Sequence, residues 1–157
     1  MTDPETETSD ARTPELWRIV MGMVYDGLLV ISLLVVGTAI VVVPFGLISG
    51  KTIPDGHPLL QLWLASWIVG FYLWFWTHGG QTLGMRAWRM RVLRLDGEPL
   101  TLWSAGVRLL ASLLSWLGLG LGFIWIVFGP EHRTWHDRIA GTRLVMLQKT
   151  RRKKKPA

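Results

Sequence analysis

The 157-residue chain contains no cysteine, so neither a disulfide nor a thiolate metal site is open to it. Basic residues are scarce at its start: within residues 1–15, Arg12 stands alone against Asp3, Glu5, Glu7, Asp10 and Glu15. A cleavable signal opens with a basic region, so the first apolar segment is expected to be retained as an anchor. Charge is also nearly missing from three long blocks, residues 19–48, 59–76 and 104–128, which carry only Asp26 and Arg108 between them. What fills the blocks instead is apolar: half of all residues are hydrophobic and the mean hydropathy is +0.31. That surplus points to one membrane-embedded domain rather than a soluble one.

Roughly 20 apolar residues cross the hydrocarbon core of a bilayer. The first block exceeds that length, the second just reaches it, and the third is long enough but interrupted. Residues 1–14 read as a disordered acidic lead-in, 15–147 as the membrane domain, and 148–157 as a basic cytoplasmic tail. Pro14 and Glu15 suit the first turn of a helix, and a first crossing is expected from Leu16 to about Val43, where Pro44 and Gly46 weaken its end. A second crossing is expected over residues 59–78, loaded with aromatics that suit lipid contact and headgroup depth.

The third block poses a topological problem. Residues 79–108 hold five arginines and two acids, and residues 129–157 hold nine Lys or Arg and two acids. Basic loops stay in the cytoplasm, which places both stretches inside and the loop at residues 51–58 outside. One crossing through 104–128 would put the most basic tail on the wrong side. Its middle carries Gly118, Gly120 and Gly122 on alternate positions, a poor helix interior. A re-entrant segment or short helical hairpin turning at these glycines is therefore expected, with a Gly-x-x-x-Gly helix contact as the alternative. Between the blocks, alternation through Trp88–Val92 ends at Asp96-Gly97, a hairpin signal with a second strand expected over residues 98–102. Thr142–Met146 has strand character as well. The fold class is thus all-α integral membrane, two transmembrane helices plus a third apolar block, with a small cytoplasmic β element.

A carboxylate in hydrocarbon is costly, so Asp26 is the first functional candidate. Arg18 lies eight residues earlier, about 12 Å along a helix and roughly 80° around it, too far for a close pair. Asp26 therefore needs a cation from another segment, with Arg108 and Arg138 as candidates, or a bound ion, or a proton. The competing reading is a buried ion pair that locks helices together. Residues 135–142 form the densest polar cluster. His132 and His136 are four apart, but without the adjacent Glu or a third ligand they read as interfacial histidines and no metal is assigned. The loop from Gly79 to Gly84 lacks the Lys-Ser/Thr pair of a phosphate loop, so no nucleotide cofactor is implied. No Ser-His-Asp spacing points to an enzyme. The basic run Arg151–Lys155 reads as a topology determinant touching anionic lipid rather than a nucleic-acid site.

Taken in order, Arg18, Asp26, Gly80-Gln81-Thr82-Leu83-Gly84 and His136-Asp137-Arg138-Ile139-Ala140-Gly141-Thr142 resemble the RDD family, over roughly residues 15–147. That family is named for one arginine and two aspartates, which map to Arg18, Asp26 and Asp137. Family members often carry a lysine after the last glycine of the Gly-Gln-Thr motif; here Met85 follows, and Arg86 supplies a cation one residue later. The resemblance implies a multi-pass inner-membrane protein and transport of a cation or small solute, with sodium/proton antiport suggested for one member. Arg18, Asp26 and Asp137 are then the ion-coupling candidates, with Gln81, Gly84, Arg86, Arg108, His136 and Arg138 in support. With so few helices, a homo-oligomer is expected to enclose any path. The alternative is a membrane scaffold or accessory subunit in which the Arg and Asp residues form a structural charge lock.

Overall fold

The computed structural model of the chain describes residues 13–118, 125 and 133–147. Helix α1 spans Leu16–Ser49 and α2 spans Pro58–Thr77, 34 and 20 residues that are both long and apolar enough to cross a membrane. Their outward side chains are bare hydrocarbon: Val35 is 64% exposed, Leu28 62% and Leu62 67%. Apolar surface on this scale is unfavourable in water and suits lipid. The backbone polar groups are meanwhile satisfied within each helix, as a bilayer requires.

The first helix runs past the boundary expected at Val43. Pro44 lies inside it, and the helix ends only at Gly50, whose left-handed φ of 64° lets its N–H reach the Gly46 carbonyl at 2.9 Å. Proline withholds one hydrogen bond from the ladder, whereas leaving the helix in an apolar stretch would strand several backbone groups. At about 1.5 Å per residue α1 measures about 51 Å, well beyond a hydrocarbon core of about 30 Å. Part of it therefore projects from the layer that α2 just spans. Close packing sets the register of the pair: Gly37 faces the indoles of Trp63 and Trp67, and Trp63 Nε1–H donates to the Gly37 carbonyl at 2.9 Å. The antiparallel run then brings Trp76, at the far end of α2, beside the Ile19 end of α1.

Beyond α2 the chain forms a small cap. A five-residue helix α3, Leu83–Ala87, leads into strand β1, Met90–Arg94. Helix α4 spans Leu102–Leu117, α5 spans Trp135–Ile139, and β2 spans Thr142–Met146. The two strands pair antiparallel, Met90 opposite Met146 and Arg94 opposite Thr142. No strand forms at residues 98–102, contrary to the hairpin reading. Asp96-Gly97 does make its turn, with Gly97 N–H on the Arg94 carbonyl at 3.0 Å. Pro99 then lacks the N–H that a ladder needs, and Thr101 caps the next helix by accepting the Ser104 N–H at 3.2 Å. The sheet partner comes from β2 instead. The other edge of β1 is covered by the loop before α3, where Val92 N–H donates to the Gly80 carbonyl at 2.7 Å.

The core lies where cap meets helices. Met90, Val92 and Leu144 from one sheet face pack with Ala105 and Leu109 of α4, Ile19 of α1 and Trp76 of α2. Helix α4 is about 24 Å long by its 16 residues, short of a full crossing. It buries Ala105, Arg108, Leu109 and Ala111 and exposes Trp103, Leu110, Leu114 and Leu117. The glycine turn expected at Gly118, Gly120 and Gly122 falls from residue 119 onward outside the described residues.

Candidate functional site

Asp26 occupies the inward face of α1, 4% exposed. Its partners come from the Gly-Gln-Thr loop. Thr82 Oγ1–H donates to Oδ2 at 2.5 Å, and the Gly84 backbone N–H donates to Oδ1 at 2.8 Å. Both donors sit at the start of α3, where free N–H groups and the helix dipole favour an anion. Thr82 also accepts the Met85 N–H at 3.2 Å and so caps that helix. The contact requires a glycine at position 84. A Cβ on Gly84 would overlap the Gly22 carbonyl oxygen and the Asp26 carboxyl carbon, so α1 and α3 meet backbone to backbone. Gln81 completes the loop by donating from Nε2 to the Met90 carbonyl at 2.7 Å, on the same strand edge that Gly80 covers. The motif is a fastening of α1 to the sheet through a carboxylate.

A second fastening lies in the cap. Arg108, 2% exposed, projects from α4 and its Nη1 pairs with Oδ1 of Asp137, itself 1% exposed. The hydroxyl of Thr134 donates to Oδ2 of Asp137 at 2.5 Å, and Thr142 Oγ1–H donates to Oδ1 at 2.8 Å. Thr142 also accepts from Arg108 Nη1 at 2.8 Å. One carboxylate thus joins α4, the start of α5 and the start of β2. Burial alone would push the Asp137 carboxyl up, but the Arg108 guanidinium, His136 and the Thr134 hydroxyl outweigh it and hold it below the usual range. His136 is buried next to this pair. Burial first and the Arg108 charge second hold its imidazole down at about 3, against an opposing pull from Asp137, so it is neutral at physiological pH.

Between the two fastenings lies a cavity of about 140 Å³. Its lining includes Asp26, Tyr72, Trp76, Arg108, Thr134 and His136, with the Tyr72 and Trp76 rings 5.2 Å apart on one helix. Met23, Ile68, Leu109 and Leu113 give it an apolar remainder. The guanidinium carbon of Arg108 stands 5.1 Å from the Trp76 ring centroid.

The two partners expected for Asp26 do not reach it. Arg108 is committed to Asp137, and Arg138 is exposed on the outer side of α5. Arg18 is half-buried in the first turn of α1, with Nε 3.4 Å from Glu15 Oε2 and its guanidinium 4.8 Å from the Trp17 ring centroid. Arg18, Asp26 and Asp137 therefore do not share one contact cluster. Arg86 is exposed at the end of α3. Among the described residues no basic side chain forms an ion pair with Asp26, and no group of three metal-ligating side chains occurs. Sequence reasoning missed Thr82, Thr134 and Thr142. The first two carry a readable signal, because a threonine directly before a short helix is a capping position, and Thr134 with Asp137 has capping-box spacing.

Two apolar helices capped by a small α/β unit, with carboxylates fastened into both, define a membrane-type protein. The RDD family model matches residues 13–141, most of the chain, and the chain belongs to the RDD family. Comparison with curated proteins and with solved structures found no match.

Proposed function

We propose that this is a multi-pass inner-membrane protein that moves a cation or small solute, with Asp26 as the exchange site for a cation or a proton. One observation carries the reading: Asp26, in the first third of a membrane helix, lines a cavity, and its partners among the described residues are two neutral donors. A carboxylate has about four acceptor positions, of which Thr82 and Gly84 use two. No basic side chain among the described residues compensates the charge, so a proton or an arriving cation is favoured. Two spanning helices do not enclose a path by themselves, so the working form is a homo-oligomer. The cap and the basic tail lie in the cytoplasm, facing anionic lipid, as the charge distribution favours.

The scaffold reading has one observation of its own, the buried cluster in which Arg108, Thr134 and Thr142 all bond to Asp137. That cluster is a charge lock, and a protein in which Asp26 is merely a second lock would serve as a membrane scaffold. Proteoliposomes containing a pH-sensitive dye separate the two. An imposed Na+ or K+ gradient drives proton movement in the wild type, and Asp26→Asn abolishes it while the protein remains folded and inserted. Equal movement in both proteins, or none in either, sinks the carrier reading. Reporters fused after Ala157 test the topology: a periplasmic signal rejects the cytoplasmic cap.

A further inference from the structure

The reading of Asp26 as a cation site leaves two other residues of the same cavity lining without a task. These are Trp76 and Arg108, 5% and 2% exposed. The Nε1–H of Trp76 and the Nε–H of Arg108 are shielded from solvent, and neither has an acceptor among the described residues. The guanidinium lies over the indole ring, so these two donors belong to one patch. Buried donors without acceptors are costly and uncommon, and two side by side on a cavity wall call for an acceptor delivered through the cavity.

Charge narrows what can deliver it. The Arg108 charge is matched by Asp137, and His136 is neutral, which leaves the described lining with the single negative charge of ionised Asp26. A bare metal cation would balance Asp26 and leave both donors unserved. A bare anion would serve the donors and add a second negative charge. A molecule with both ends meets both needs, and the walls of Met23, Ile68, Leu109 and Leu113 suit a short methylene link between them. A cavity of about 140 Å³ is close to the roughly 150 Å³ that admits a benzene-sized ligand, so it has room for a small organic solute.

We infer that the cavity binds a small organic ammonium carrying a hydrogen-bond acceptor, its cationic end at Asp26 and its acceptor at the Trp76–Arg108 patch. This rests on Asp26 being the cation site, and the test separates the two ideas. Ethanolamine and propylamine have the same number of heavy atoms and the same charge, and differ in one hydroxyl. Calorimetric titration of the full-length protein in lipid nanodiscs is expected to show ethanolamine bound about tenfold more tightly, the value of one satisfied buried donor. Trp76→Phe keeps an aromatic ring under Arg108 and removes the indole N–H. It should narrow the preference to about threefold while propylamine binding persists, which also reports an intact fold.

Equal affinities for the two amines in the wild type overturn the inference, as does a preference undiminished by Trp76→Phe. In both cases propylamine binding that is lost on Asp26→Asn leaves the cation site standing. Absence of any amine binding also overturns the inference, and amine binding indifferent to Asp26→Asn overturns it together with the cation site.

Discussion

Thr82 and Asp26, 56 residues apart, share a hydrogen bond in which the threonine hydroxyl donates to a carboxylate oxygen. The same hydroxyl caps α3, so one side chain both starts the cap and fastens it to the first membrane helix. Thr82→Val keeps the shape and deletes both functions. It should lower stability by about 1–3 kcal/mol, the usual result of leaving a buried partner unsatisfied, while Thr82→Ser should be near neutral. Gly84→Ala should cost about as much by overpacking, because the added methyl meets the backbone of Gly22 rather than a movable side chain. Thermal unfolding followed by tryptophan fluorescence in detergent measures all three.

The Arg108–Asp137 pair should show strong coupling. Arg108→Met leaves a buried carboxylate without its cation, and Asp137→Leu leaves a buried guanidinium without its anion. Each single change should cost about 3–5 kcal/mol, and the double change much less than their sum. An additive double-mutant cycle would show that the pair is not a lock.

Acidification should weaken the cap before it protonates Asp137. His136 titrates near 3 in the folded protein and near 6.5 when unfolded, so between those values the unfolded chain binds the extra proton. Stability therefore falls as pH drops from about 6.5 towards 3, with a limiting slope of about 1.4 kcal/mol per pH unit. Asp137, held below its ordinary value of 3.8, adds stability above that value and loses it as pH falls through its folded titration, below most of the histidine window. His136→Gln should flatten the profile between about pH 6 and 4 and leave the steeper loss at lower pH. Unfolding midpoints across that range are the measurement.

The membrane helices were legible because apolar length is a local property, and both were found within a residue or two except at the end of α1. There the proline signal was outweighed by the need to keep backbone groups bonded in an apolar stretch. Of the two segments with strand character expected to join β1, Thr142–Met146 pairs with it and residues 98–102 do not, for a different reason. Asp96-Gly97 does turn, but strand pairing is decided by which segment can donate a complete ladder, and Pro99 disqualifies the nearer one. In the site, Asp26 and Asp137 stood out as acids in apolar or motif settings. Their partners did not, since charge attracts attention to arginines whereas Asp26 is held by a hydroxyl and a backbone N–H. The one cation expected at Asp26 from the third block, Arg108, is bound 29 residues further along the chain, at Asp137.

The exchange of a proton for a cation at Asp26 can be measured directly. Purified protein in weakly buffered detergent solution is titrated with NaCl, then KCl, on a sensitive pH electrode over a range of starting pH values. The wild type should release up to about one proton per chain in a pH-dependent manner and Asp26→Asn none, with Thr82→Val shifting the pH at which release is largest. The same release from Asp26→Asn, or none from the folded wild type at any pH, would contradict exchange at Asp26.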